Sequence, residues 1–559
     1  MSQISHQTPL GYVLSGSTTQ FFRFVVAEEA EDIVSEGMYV LAKGPNKRIL
    51  GVIEELQYYN EFYEERDIWV EAIKKGRRPP EGIGRAFFTS KARIVGEIKG
   101  NDIVPPRQPL KPGSIVYRVT GSDLVPVFDH DPRDRTLPKH LLSLGTLYGY
   151  NDLNALIDLR ALTMHIGIIG TTGSGKTNTV SVLLEELGNK DRVDTGITKL
   201  PKTVPAVVMD LNADYIYLFD NPELVPRYTE VIRLVSKESP AYHSFEETRM
   251  RGRRIVPLTL DLNVFEPHEL AEVIVSLYKG GLSEGSMLQI NLLTYVFDEL
   301  VPKNLGEGRL NVIFYNNSDY KKLRDLVKEK SKEEGFSSHT IDAVLRQLDQ
   351  FRRSLKSYGL LGMRPSVTRE FIEKVTDIEN PSLVIVDMSD QGLPGPPYIK
   401  QFVVYYIALI MFNLFVEYRR KAMIENVEQR VALLVIEEAQ NFAPNLQTYK
   451  LGYSVARNLL ATIATQGRKF GLSLVLVTQR PLYVDPVVMS MMNTFIIHRV
   501  PPYDVRFVEN LTGGIAYGLS RNLSVMERGN AIIVGQMNPS PLPLVVKVRS
   551  RGGSYDYKV

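Results

Sequence analysis

The residues best equipped for chemistry lie in three short runs. The first, GTTGSGKT from Gly170 to Thr177, has the spacing Gly-x-x-x-x-Gly-Lys-Thr and opens into NTVSVLLEEL. Gly170, Gly173 and Gly175 let backbone N–H groups converge on phosphate oxygens, with Thr172, Ser174 and Asn178 beside them. Lys176 brings charge to the β and γ phosphates and Thr177 a hydroxyl to Mg²⁺, so ATP and Mg²⁺ are the expected cofactors. The second run, VALLVIEEAQNFAP, delivers two carboxylates at the end of a buried apolar strand. Glu437 would hold the Mg²⁺ and Glu438 would polarise the water that attacks the γ phosphate. The third, LVLVTQRP, ends a further strand with Gln479, whose amide could sense the γ phosphate. Just before it, ATQGRKFG places Arg468 and Lys469 on a loop. Arg468 is either a solvated charge or an arginine finger for an adjacent subunit's nucleotide, a device worth roughly a thousandfold in rate. Guanine specificity is not expected: GNKDRVD, residues 188–194, only resembles Asn-Lys-x-Asp, with Arg192 in place of the aspartate.

These runs need a frame that brings strand ends together. From about residue 141, apolar strands alternate with helical stretches, the signature of a parallel α/β sheet covered on both faces. Strands are expected at 164–169, 205–210, 382–388, 432–438, 472–479 and 494–500. The intervening 241–380 reads as a helical insertion, with PHELAEVIVSLY and AVLRQLDQFRRSLKSY as its clearest helices. Residues 1–140 hold short β-like runs punctuated by turns, which suggests a small antiparallel barrel. The predicted organisation is therefore α/β: barrel 1–140, ATPase core 141–240, helical insertion 241–380, second part of the core 381–540, and a C-terminal arm 541–559.

Composition adds exclusions. The 66 basic and 64 acidic residues nearly cancel, so bulk charge names no partner. The absence of cysteine rules out disulfides and thiolate metal sites, and no paired histidine spacing suggests zinc. No secretory signal is visible, which implies a cytoplasmic protein. FVVYYIALIMFNLFV, Phe402 to Val416, is shorter than the roughly 20 residues a membrane span needs, and reads as a helix buried against a sheet. The run RMRGRR, with Arg249, Arg251, Arg253 and Arg254, is placed in the insertion as a candidate DNA contact, against a solvated charged loop.

Taken together, GTTGSGKTNT, VVMDLNADY, LLVIEEAQNFAP and GRKFGLSLVLVTQRP, with PLGYVLSGSTTQFFRF and PPRQPLKPGSIVYR at the front, resemble the HerA family of archaeal DNA-translocating ATPases. The resemblance implies a homohexameric ring of RecA-like cores, each with an N-terminal HAS-type β-barrel and a helical insertion. It also implies duplex DNA in a central channel and a NurA-type nuclease on a ring face, acting in end resection and recombinational repair. By motif, Lys176 and Thr177 match the Walker A pair, Glu437 and Glu438 the Walker B and catalytic acids, Gln479 the sensor and Arg468 the trans-acting arginine. Asp210 and Tyr215 keep the first acid and the tyrosine of the run after the second strand, which here reads DLNADY, while Gln440 stands where a histidine is usual. Two alternatives share this chemistry: a DNA pump docked on a membrane partner for transfer between cells, and an ATP-gated ring that binds protein.

Overall fold

A computed structural model of the chain describes residues 8–60, 71–72, 74–77, 86–243, 252–279, 284–425, 427–448, 454–513 and 517–552. It divides into two compact units, one from residues up to Asp158 with Gly173–Gly175 and the chain from Ile496, the other from Leu159–Thr172 and Lys176–Phe495.

In the first unit, seven antiparallel strands run in the order Phe21–Val26, Pro9–Val13, Ile115–Arg118, Tyr39–Gly44, Lys47–Tyr59, Phe87–Lys99, Asp102–Val104. Phe21–Val26 also pairs with Phe87–Lys99, Phe21 opposite Arg93 and Val25 opposite Thr89, which closes six of them into the expected barrel. Strict alternation turns Phe22, Phe24 and Val26 inward. Register shifts at Leu50/Gly51 and Ile53/Glu55 let the 13-residue Lys47–Tyr59 strand curve around the barrel. Gly51 sits where a Cβ would come within 2.8 Å of the Phe22 ring. The same unit holds an antiparallel sheet of Asn530–Gly535, Leu544–Val548, Leu141–Leu147 and Asn154–Asp158. The expected C-terminal arm is thus corrected over Leu544–Val548: a strand between two others, because four of the five residues of LVVKV are apolar and buried in the sheet.

The second unit is built on a parallel sheet in the order Arg253–Pro257, Glu230–Val235, Ser382–Asp387, Ala206–Asp210, Ala432–Ile436, Leu472–Thr478, Ile166–Ile169. Every pairing between these neighbours is parallel. Ala432–Ile436 and Leu472–Thr478 are buried at every residue, as strands covered on both faces must be. Glu230–Val235 and Arg253–Pro257 extend the sheet beyond the expected strands, so the helical segment begins only at Pro267.

That segment includes helices Pro267–Lys279, Asn317–Glu333 and Ser338–Ser357, the last capped by Ser337, whose hydroxyl accepts from the Thr340 N–H. An aromatic ladder joins it to the apolar helix Pro397–Glu425: the Phe314 and Phe351 rings lie 5.9 Å apart edge to face, and Phe351 and Phe402 lie 5.6 Å apart. The Pro397–Glu425 helix is long and apolar enough to cross a membrane by composition, yet 72% of its most apolar window is buried inside the protein. The Tyr406 hydroxyl accepts the Asp261 N–H at 2.8 Å, which pins it as a core element.

Because Phe402 is fully buried between these aromatic rings, Phe402→Ala should cost about 3–5 kcal/mol. Urea unfolding of the soluble chain reads this; an unchanged midpoint would mean the helix does not hold the core.

Candidate nucleotide site

Parallel strands end at a common edge, and their carboxyl ends carry the site. The strand Ile166–Ile169 runs into the loop at Gly170, whose N–H donates to the Thr478 carbonyl at 3.3 Å. Gly173 (φ 73°) and Gly175 (φ 123°) adopt left-handed backbone, which turns successive N–H groups toward one concavity. The 13-residue helix Lys176–Gly188 then begins, with Lys176, Thr177 and Asn178 in its first turn. Lys176 is buried, and its ammonium donates to the Thr171 carbonyl at 3.0 Å. Burial pulls its pKa down, while the charges of Glu438, Glu437 and Asp214 pull it back up.

The acids arrive on neighbouring strands. Glu437 is 2% exposed and accepts a hydrogen bond from the Tyr215 hydroxyl. Burial pushes its pKa up to about 7; the Tyr215 bond opposes this, and the charges of Glu438, Asp210 and Asp214 add to it. Glu438 follows with φ 49° and ψ 51°, a left-handed conformation costing about 1–3 kcal/mol in a residue with a side chain. Its carboxylate accepts from the Gln440 amide at 2.6 Å. Asp210 is fully buried, and its two oxygens accept the N–H groups of Asn212, Asp214 and Tyr215 at 3.3, 3.0 and 2.9 Å. It therefore acts on the site through the loop that carries Asp214 and Tyr215. Burial pushes its carboxyl up to about 7 as well, against the lowering effect of those N–H groups.

Between the loop strand and the acid strand lies Leu472–Thr478, so Gln479 emerges in the middle. Gln479 accepts from the Thr172 hydroxyl, which ties the phosphate loop to the sensor position. A cavity of about 460 Å³, lined by Leu211, Asn212, Ser389, Lys400, Gln401 and Phe442, adjoins the acids on the side away from the phosphate loop.

The arrangement fits a triphosphate with its metal ion. The Ser174 hydroxyl is buried without a protein partner, as a phosphate ligand in a glycine cradle would require. Four carboxylates share a site with a single lysine, an imbalance that a divalent cation relieves. Thr177 and Glu437 would hold Mg²⁺, whose charge offsets that of the phosphates.

Among the remaining sequence candidates, Arg468 is exposed in the last turn of the helix Ala456–Phe470, before the strand Leu472–Thr478 begins. It lies at the amino edge of the sheet, away from the chain's own phosphate loop. The arginine run requires correction. Arg253 and Arg254 are not in a helical insertion but on a sheet strand, where they serve as structural partners. The Arg253 guanidinium donates to the Asp220 carbonyl at 3.1 Å and stacks 5.7 Å from the Phe219 ring, and Arg254 pairs with Glu230 at 3.3 Å. Arg249 and Arg251 lie outside the described residues. Two residues, Asp214 and Thr478, and the partnership of Tyr215 with Glu437 escaped the sequence reading of the site. The tyrosine five positions after a strand-end aspartate was the available signal.

Residues 142–408 match the family model described as the central domain of the helicase HerA. The chain is similar to the HerA helicase family over those residues and beyond them. Its relatives include the DNA double-strand break repair helicase HerA of Pyrococcus furiosus, 24% identical over 83% of this chain and 79% of that one. A probable DNA double-strand break repair helicase HerA of Methanocaldococcus jannaschii is 25% identical over 98% and 96% of the two chains. Among solved structures, VirB4 of Thermoanaerobacter pseudethanolicus aligns with a TM-score of 0.48 and 15% identity, over 74% of this chain and 97% of that one. The site is that of a P-loop ATPase.

The raised carboxyls of Glu437 and Asp210 give a signed pH effect. Their contribution to stability is complete below the ordinary carboxyl values of 4.5 and 3.8, and is lost as pH rises through about 7. In the absence of nucleotide, Glu437→Gln should therefore gain thermal stability relative to wild type between pH 5 and 8. Differential scanning calorimetry at both values tests this, and a wild-type-minus-variant difference that does not change with pH would sink it.

Proposed function

We propose that the chain is an ATP-driven motor that moves along double-stranded DNA in break repair. The observation that carries this reading is the convergence of the phosphate loop, the Glu437–Glu438 pair and Gln479 at one sheet edge, in a family whose curated relatives are named as DNA double-strand break repair helicases. In this reading Lys176 and the loop N–H groups grip the triphosphate. Glu438 takes a proton from the attacking water as its oxygen bonds to the γ phosphorus, and ADP leaves with the bridging oxygen. Gln479 reports the γ phosphate to the loop through Thr172. Arg468 serves the nucleotide of a neighbouring copy in a homohexamer, duplex DNA passes through the central channel, and a NurA-type nuclease on one ring face resects the end. The work is done in the cytoplasm.

The test is ATP turnover with and without duplex DNA. DNA should raise turnover at low salt and lose that effect as salt displaces phosphate contacts. ATP hydrolysis indifferent to DNA at low salt would end the motor reading.

Two variants separate roles at the site. Lys176→Ala should lose nucleotide binding, whereas Glu438→Gln should keep it and slow turnover by about 10²–10⁴-fold. Mixed rings of Arg468→Ala and Lys176→Ala subunits should recover part of the activity that each lacks alone. Rings proven to mix without recovery would remove Arg468 from the site.

A further inference from the structure

One side chain near the catalytic acid is held more tightly than its surroundings require. Gln440 is 4% exposed, and both ends of its amide are used. Its Nε2 donates to Glu438 Oε2 at 2.6 Å, and its Oε1 accepts from the Thr478 hydroxyl at 2.7 Å. The Thr478 hydroxyl also accepts the Arg480 N–H at 3.1 Å, which leaves its own proton for Gln440 and so fixes which way the amide faces. Thr478 directly precedes Gln479, the residue bonded to Thr172 of the phosphate loop. The Thr478 carbonyl meanwhile accepts the Gly170 N–H from the start of that loop.

We propose that Gln440 is a positioning residue that couples the phosphate loop to the catalytic acid, through the path Thr172, Gln479, Thr478, Gln440, Glu438. The inference rests on Glu438 being the base, as read above. The backbone of Glu438 is left-handed and its side chain is only half-buried, so the Gln440 amide is the bond that sets where its carboxylate stands. An amide suits this task because it donates to the carboxylate without titrating. Any shift of the strand end at Thr478 and Gln479 on phosphate binding moves the Thr478 hydroxyl, and with it the carboxylate two bonds away. Gln440 acts through its bond to the Glu438 carboxylate, by aim.

The test compares variants under saturating DNA, with nucleotide affinity measured separately using a fluorescent ATP analogue. Gln440→Leu and Thr478→Val should each lower kcat by roughly 10- to 100-fold, the scale of a misaimed catalytic group, with affinity for the analogue within about twofold of wild type. Their double variant should be no slower than the worse single, and Thr478→Ser, which keeps the hydroxyl, should restore wild-type turnover. Should Gln440→Leu unfold, Gln440→Asn carries the same test, since its shorter amide cannot span both partners. Wild-type kcat in Gln440→Leu, or affinity falling in step with kcat, would overturn the coupling while leaving the ATPase reading intact. A wild-type turnover rate in Glu438→Gln would instead overturn the reading of the base, and the coupling with it.

Discussion

Four carboxylates and one ammonium crowd the edge of one sheet, and that crowding is the constraint on which the rest of the molecule depends. Like charges about 4 Å apart repel by roughly 4 kcal/mol at an effective dielectric of 20, so Asp210, Asp214, Glu437 and Glu438 would not gather in a flexible chain. They are held because each leaves a rigid strand end or a loop pinned to one. The carboxyls of Glu437 and Asp210 are raised first by burial and then further by the charges of their acidic neighbours. A site held under such tension favours a bound cation, and a triphosphate arriving with its divalent ion would bring one.

The scaffold answers the constraint by strand order. Placing Leu472–Thr478 between the loop strand and the acid strand sets those two strands two strand spacings apart, about 9.6 Å. That gap is filled at the edge by Gln479, bonded to Thr172, and behind it by Thr478, bonded to Gln440. The buried faces of the same strands, and the Pro397–Glu425 helix with its aromatic contacts, supply the rigidity. The apolar composition of that helix, which in isolation suits a lipid bilayer, is what a helix needs when it covers a sheet of this width.

What could be seen in the sequence follows from locality. The phosphate loop and the paired glutamates are legible because a few adjacent residues do the work, and the central strands because burial on both faces demands unbroken apolar runs. The barrel was visible through alternation in FFRFVV and its neighbours. Glu230–Val235 and Arg253–Pro257 were missed because strands toward the side of a sheet tolerate charge: EVIRLV and RRIVP carry arginines that reach Asp387, Glu230 and Asp220. The same fact misled the reading of Arg253 and Arg254, whose charge lies on a strand rather than on a free loop. Residues that meet only in three dimensions, such as Tyr215 with Glu437 or Gln440 with Thr478, leave no mark on spacing.

Arg468 shows how far one chain can go toward completing the site. The seven-residue strand Leu472–Thr478 lies between it and the level of the phosphate loop. At about 3.3 Å per residue that is roughly 20 Å, several times the reach of an arginine side chain. Parallel pairing, Ile166 opposite Val475 through Ile169 opposite Thr478, fixes the direction, so no rotamer brings Arg468 to its own nucleotide. Its exposure at the amino edge therefore has only two physical meanings: a solvated charge, or a charge presented to another copy. The assembly proposed above requires the second, and under it each nucleotide would be gripped by one subunit and completed by the next. Firing of a site would then report the position of a neighbour, which is the minimum that a ring needs to act in sequence around a polymer.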